Sequence, residues 1–172
     1  NDLKPGNILV TDEGTPKLLD FGVSKLLNPD DRLLEQVATK PWMPQGTPQY
    51  MSPERRRGEE RASTASDVYS LGVILFELLT GLRPTRVSDL AQSANLREQT
   101  AAPPLPCEAF LALMSMGQPP KDPRKIAAQR GTTPRGLLRK LRGELEVIVV
   151  KALAPDAAER YASPQELHDE LG

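Results

Sequence analysis

The 172 residues are enough for one domain with a sizeable core. The 22 Lys plus Arg against 23 Asp plus Glu leave a net charge of −1, with no general pull toward nucleic acid or an anionic membrane. Cys107 and His168 are each the only residue of their type, which excludes an internal disulfide, His-paired metal sites and Ser/His or Cys/His nucleophilic machinery within these residues.

No apolar run reaches membrane-spanning length and no signal peptide is visible, so a reducing, cytoplasmic compartment without membrane contact in this segment is expected. A longer parent protein, which the missing initiator Met suggests, could still be anchored elsewhere. Asn7-Ile8-Leu9-Val10 and Pro16-Lys17-Leu18-Leu19 are short apolar runs separated by the turn residues Thr11-Asp12-Glu13-Gly14-Thr15, a β-hairpin pattern. Residues 23–45 lack a sustained period and contain Asn28-Pro29-Asp30-Asp31, which reads as loop.

The clearest element is TASDVYSLGVILFELLT, Thr64–Thr80. Thr64 with Asp67 resembles a capping box, while Gly81 and Pro84 mark the end. Val68, Leu71, Leu75, Leu78 and Leu79 form one apolar stripe, and Val73, Ile74 and Phe76 fill other faces. A helix apolar nearly all round belongs at a domain centre, where each large side chain contributes about 1.5–3 kcal/mol. The 17 prolines cluster at 103–106 and 119–123, which predicts irregular links. ELEVIVVKALA, 144–154, could be a strand by its β-branched run, but Leu145, Ile148, Val149, Ala152 and Leu153 follow helical spacing up to Pro155. Ser163-Pro164 opens a last helix through Leu171.

The opening residues carry the chemistry. Asp2, Asn7 and Asp20 supply two carboxylates and an amide beside a tight hairpin, a donor set suited to a hard cation such as Mg²⁺ together with substrate phosphates. Lys4 would neutralise developing phosphate charge. The same residue types also serve as turn formers and caps, so spacing alone leaves both roles open.

Asp2-Leu3-Lys4-Pro5-Gly6-Asn7 resembles the catalytic loop of protein kinases, D-L-x-x-x-N, and Asp20-Phe21-Gly22 resembles their D-F-G. Ser52-Pro53-Glu54 stands where A-P-E is expected, Asp67-Val68-Tyr69-Ser70-Leu71-Gly72 resembles the central helix of the large lobe, and Arg160 stands where an Arg pairs with the Glu of A-P-E. RGTTPRGLLRKLRGELEVIVVKAL and KLLDFGVSKLL look most like bacterial serine/threonine kinases. The resemblance covers nearly the whole chain, loosely between 86 and 135.

The resemblance implies an α+β, mainly α fold: a kinase-like large, C-terminal lobe with a short hairpin and a buried central helix. Residues 1–172 would be a partial catalytic domain without its small lobe, since no G-x-G glycines and no V-A-I-K lysine occur. The implied function is transfer of the ATP γ-phosphate to Ser or Thr hydroxyls of protein substrates, with Mg²⁺, and no nucleic-acid partner. Asp2 would orient or accept the proton of the acceptor hydroxyl. Lys4 would touch the γ-phosphate and, with Thr47, steady Asp2; Asn7 and Asp20 would hold Mg²⁺; Leu9 would lie under adenine. Glu54 and Arg160 would form a structural ion pair, and Asp67 would accept backbone hydrogen bonds from the catalytic loop. The alternative is a non-catalytic kinase-like interaction module. Without a small lobe the isolated chain is expected to be inactive.

Other residues carry weaker expectations. Asn1 stands where the family often has Arg, so phosphorylation of Thr39 would lack its usual receiver. Ser52 for Ala in A-P-E exchanges one small residue for another. Trp42 packs the loop or meets substrate, and Cys107 reads as a small core residue. Residues 121–142 hold eight Lys or Arg and one acid, Asp122, either a solvated surface or a docking patch for acidic partners.

Overall fold

A 3₁₀ turn at Pro5–Asn7 delivers the chain into an antiparallel hairpin of β1 (Ile8–Val10) and β2 (Pro16–Leu18), paired Ile8 to Leu18, Leu9 to Lys17 and Val10 to Pro16. Asn7 N–H donates to the Lys4 carbonyl at 2.9 Å and Leu19 N–H to the Asn7 carbonyl at 2.8 Å, so the turn and hairpin form one unit. The computed structural model describes residues 3–19, 47–58, 63–84 and 103–172. Asn1, Asp2, the Asp20-Phe21-Gly22 motif, the 23–45 loop, Thr39 and Trp42 lie outside the described residues.

After a 3₁₀ turn at Pro48–Tyr50 the helices are α1 (Pro53–Arg56), α2 (Thr64–Thr80), α3 (Pro106–Ser115), α4 (Pro123–Ala128), α5 (Pro134–Leu141), α6 (Glu144–Ala152) and α7 (Pro164–Leu171), with a further 3₁₀ turn at Ala157–Glu159. The described residues are therefore mainly helical with a two-stranded hairpin. Helix α2 is the hub, packing against α3, α6 and α7.

The N-terminus of α2 corrects the capping expectation. Ser63, not Thr64, is the cap: its backbone is extended, and its hydroxyl accepts from Ser66 N–H at 3.1 Å. Thr64 is already helical, so it cannot occupy the extended cap geometry. The burial of α2 differs as well. Val68, Tyr69, Gly72, Val73, Phe76 and Thr80 are buried, whereas Leu78 is 64% exposed and Leu71, Leu75 and Leu79 are only half-buried. The small residues, rather than the leucines, let other helices approach.

At the C-terminus Gly81 takes a left-handed conformation, φ 74°, and its N–H donates to the Glu77 carbonyl. Two basic side chains complete this end. Lys121 Nζ donates to the Gly81 carbonyl at 2.5 Å, and Arg130 Nε donates to the Leu78 carbonyl at 2.8 Å. Cations there satisfy free carbonyls and oppose the negative pole of the helix.

The proline clusters are irregular at 103–105 and 119–122, as expected, and helices α3 and α4 begin at their last prolines, with α5 following. Each begins with proline, at Pro106, Pro123 and Pro134, where the missing N–H has no intrahelical acceptor to lose. Asp122 and Thr133 cap α4 and α5 through Arg124 N–H and Gly136 N–H. One core joins Tyr69, Val73 and Phe76 of α2 to Phe110, Leu113, Ile126, Leu137, Leu141 and Val149. A second joins Val68 to Ile148, Ala152, Tyr161 and Leu167.

Candidate functional site

The hairpin edge gathers part of the nominated set. Lys4 precedes the 3₁₀ turn, Asn7 ends it half-buried, and Leu9 lies on β1 with 55% of its surface exposed. Lys4 Nζ donates to Thr47 Oγ1 at 3.1 Å, across 43 residues of sequence. That contact ties the opening turn to the Thr47-Pro48-Gln49-Tyr50 segment. A held cation, an amide and an exposed apolar platform are thus adjacent in one short turn and strand. Asp2 and Asp20 are not among the described residues. Leu19, which precedes Asp20 in sequence, is hydrogen-bonded to Asn7 as noted. Among the described residues no group of three or more His, Cys, Asp or Glu could hold a metal ion.

The segment after Thr47 is fixed to α2. Ser70 Oγ donates to the Tyr50 carbonyl at 2.8 Å, and Tyr50 Oη donates to Glu77 Oε2 at 2.6 Å. Burial, together with the Glu77 carboxylate, pushes the Tyr50 hydroxyl up to about 12, so it remains a donor. Met51 and Ser52 are buried directly behind.

Glu54 and Arg160 are brought together across 106 residues. Arg160 Nη1 and Nη2 donate to Glu54 Oε1 and Oε2, both at 2.8 Å, a two-pronged pair. Arg160 Nε donates to the Ala154 carbonyl at 2.7 Å, Nη1 to Ala65 at 3.1 Å and Nη2 to Pro155 at 3.1 Å. Its guanidinium also lies 5.0 Å from the Tyr69 ring centre. Burial alone would raise the Glu54 carboxyl, but Arg160, Ser52, its own backbone N–H and Ser66 outweigh that and hold it at about 2.

The serines were not nominated from sequence. Ser66 Oγ donates to Glu54 Oε1 at 2.9 Å, and Ser52 Oγ donates to Ser66 Oγ at 3.2 Å. The Ser52 hydroxyl is therefore a working part of this network, where a size comparison with Ala had assigned it nothing. The visible signal was the polar residue itself, set between Met51 and Pro53 ahead of a buried helix. Asp67 is half-buried in the first turn of α2, where a carboxylate suits the positive helix end. Cys107 is buried; its N–H donates to Glu146 Oε1 at 3.2 Å, and burial pushes its thiol up, away from reactivity.

A surface groove of about 710 Å³ lies elsewhere, against α6 and the 3₁₀ turn at Ala157–Glu159. Val147, Val150, Ala154 and Pro155 line it, and none of the nominated residues does.

Comparison with known proteins agrees with this arrangement. The family model described as protein kinase domain matches residues 1–170. The serine/threonine-protein kinase PknA of Mycobacterium tuberculosis (strain ATCC 25177 / H37Ra) is 41% identical over 105 residues, which is 61% of this chain and 23% of that protein. PknA of Corynebacterium glutamicum is 40% identical over 103 residues, 60% of this chain and 20% of that protein. A protein of Streptomyces coelicolor named "Probable serine/threonine-protein kinase" is 31% identical over 173 residues, 99% of this chain and 20% of that protein. The chain thus spans about a fifth of the length of these curated relatives. With the family model running across both the hairpin edge and the Glu54–Arg160 pair, the chain belongs to the protein kinase domain family.

Proposed function

We propose that this chain is the helical, substrate-holding lobe of a serine/threonine protein kinase, a partial catalytic domain that moves the ATP γ-phosphate onto protein Ser or Thr hydroxyls. The Lys4–Thr47 hydrogen bond carries the reading, because it joins the catalytic-loop turn to the segment that would face a protein substrate. Asp2 orients the acceptor hydroxyl and takes its proton as the oxygen bonds to the γ-phosphorus and the bond to the ADP oxygen breaks. Lys4 neutralises charge on the moving phosphoryl group, a role supported by the Thr47 hydroxyl that holds its ammonium. Leu9 offers an exposed apolar platform for adenine. The hard oxygen donors Asn7 and Asp20 suit Mg²⁺, which when bound screens the ATP phosphates. Phosphoryl transfer needs little covalent help, so positioning and charge account for the short residue list. Lys4 and the Gly46–Tyr50 segment favour Ser and Thr acceptors, and the reaction belongs in the cytoplasm, where ATP is available.

The test is phosphate incorporation from Mg²⁺-ATP into a generic Ser/Thr protein substrate by the full-length protein that carries this chain. Thr47→Ala should lower kcat roughly tenfold or more, about 1.4 kcal/mol, with a smaller change in KM. A folded, ATP-binding protein whose background transfer ignores both Lys4→Met and Thr47→Ala would instead be a non-catalytic module.

A further inference from the structure

Helices α4 and α5 present a cationic surface that carries no ion pair among the described residues. Arg124, Lys125, Arg135, Arg139 and Lys140 are all exposed, and among the described residues none has a carboxylate in ion-pair contact. The other two cations of the two helices' surroundings with assigned work, Lys121 and Arg130, cap α2 and are accounted for. Asp122, the one acid of residues 121–142, caps α4 by accepting from Arg124 N–H. The two helices pack against each other, and Ile126, Leu137 and Leu141 turn into the core, which leaves the basic side chains outward.

This arrangement opposes the local physics of the helix. Arg135 lies in the first turn of α5, at the positive end of the helix dipole. Arg135 and Arg139 are four residues apart on one face, and like charges at that spacing repel. A glutamate at position 135 would suit that helix end better, whereas Arg139, in the last turn, matches the dipole. An arrangement that costs stability and gains no internal partner marks a surface that serves binding.

We propose that α4 and α5 form a docking surface for a phosphorylated protein segment. Charge complementarity requires an anionic partner. Arginine supplies most of the cations, and its planar fork matches phosphate oxygens in pairs. The choice of phosphate over carboxylate rests on the kinase reading above, since that reaction makes protein phosphate esters. The surface lies on elements separate from the Lys4–Thr47 edge, so it would hold a phosphorylated partner or product while the edge acts on another site.

The experiment is fluorescence anisotropy of a labelled peptide bearing adjacent phosphothreonines, titrated with the intact chain. Comparison probes are the unphosphorylated peptide, a single-stranded RNA and vesicles containing anionic lipid. Arg135→Glu combined with Arg139→Glu should weaken phosphopeptide binding tenfold or more. Both side chains are exposed, and the gain expected at position 135 opposes the loss at 139, so an unchanged circular dichroism spectrum and a closely similar thermal midpoint will accompany the loss. Arg135→Lys with Arg139→Lys keeps the charge and should retain part of the binding. Equal binding of the unphosphorylated peptide, tighter binding of RNA or vesicles, or indifference to charge reversal would overturn the proposal. The readout needs no Mg²⁺-ATP and no transfer. Phosphopeptide binding by this chain, with no phosphate transfer by the full-length protein that carries it, would therefore sustain the surface while defeating the kinase reading.

Discussion

Arg160 has five N–H donors, and each finds an acceptor in Glu54, Ala154, Ala65 or Pro155. A guanidinium so completely matched cannot be exchanged for a lysine, whose ammonium has three donors and no planar fork. Arg160→Lys should therefore destabilise the chain measurably, and Arg160→Ala should cost about 3–5 kcal/mol by leaving the Glu54 charge buried without its partner. Urea unfolding reads both, and a double-mutant cycle with Glu54→Ala measures the coupling; additive single effects would show that the pair is not a unit. The pair also sets an acid limit. Glu54 is held at about 2 in the folded chain against an ordinary 4.5, so its contribution is complete above pH 4.5 and lost as pH falls through about 2. That window is worth on the order of 3 kcal/mol, and Glu54→Gln should flatten the stability–pH curve across it. Glu54 and Arg160 were legible from their landmarks, but Ser52 and Ser66 were not. Their hydrogen bonds exist only once α1 and α2 have been brought together, and nothing local in the sequence records that meeting.

At the scale of elements, helix α2 depends on close approach. A Cβ added at Gly72 would lie 3.0 Å from Ala152 Cβ and 3.3 Å from the Ala152 carbonyl carbon, so α2 and α6 are packed backbone to backbone. Gly72→Val should cost roughly 1–3 kcal/mol or more, and denaturant midpoints of wild type and variant check it. Gly81→Ala should also destabilise, since φ 74° is strained for alanine and its Cβ would meet Ile126 Cδ1 at 2.9 Å. The hairpin, α2, α6 and α7 were readable because their signals are local: turn residues, apolar period, Ser163 before Pro164, and Pro155 after α6. Helices α3 to α5 were hidden for a related reason. The proline clusters do mark irregular stretches, but Pro106 and Pro123 at their ends, and Pro134 further on, also open helices. The leucine stripe of α2 departs from expectation at Leu78, because hydrophobicity reports what can be buried, not which face a neighbour reaches; Leu71, Leu75 and Leu79 do pack against the cores. Leu78 stays outside while Gly72 and Thr80 lie within.

Across the whole molecule, a chain of contacts links the two ends of the proposed machinery. Lys4 holds Thr47, Tyr50 is fastened to Ser70 and Glu77 of α2, and Glu54 is locked to Arg160 near the last helix. Loosening the far end should therefore blur the near one. Arg160→Ala in the full-length protein should lower phosphate transfer while leaving ATP affinity nearly unchanged, which separate transfer and nucleotide-binding titrations will resolve. No helix of the described residues is long and apolar enough to cross a membrane. The central claim is that Asp2 and Asp20 act with the Lys4–Thr47 edge in phosphoryl transfer. The most direct measurement is phosphate incorporation into a Ser/Thr protein substrate by the full-length protein, in Mg²⁺-ATP, for wild type, Asp2→Ala and Asp20→Ala. Transfer by the wild type and its loss by a factor of about 100 or more in each variant, with folding intact, is the predicted result. Transfer that persists unchanged without either carboxylate would contradict it.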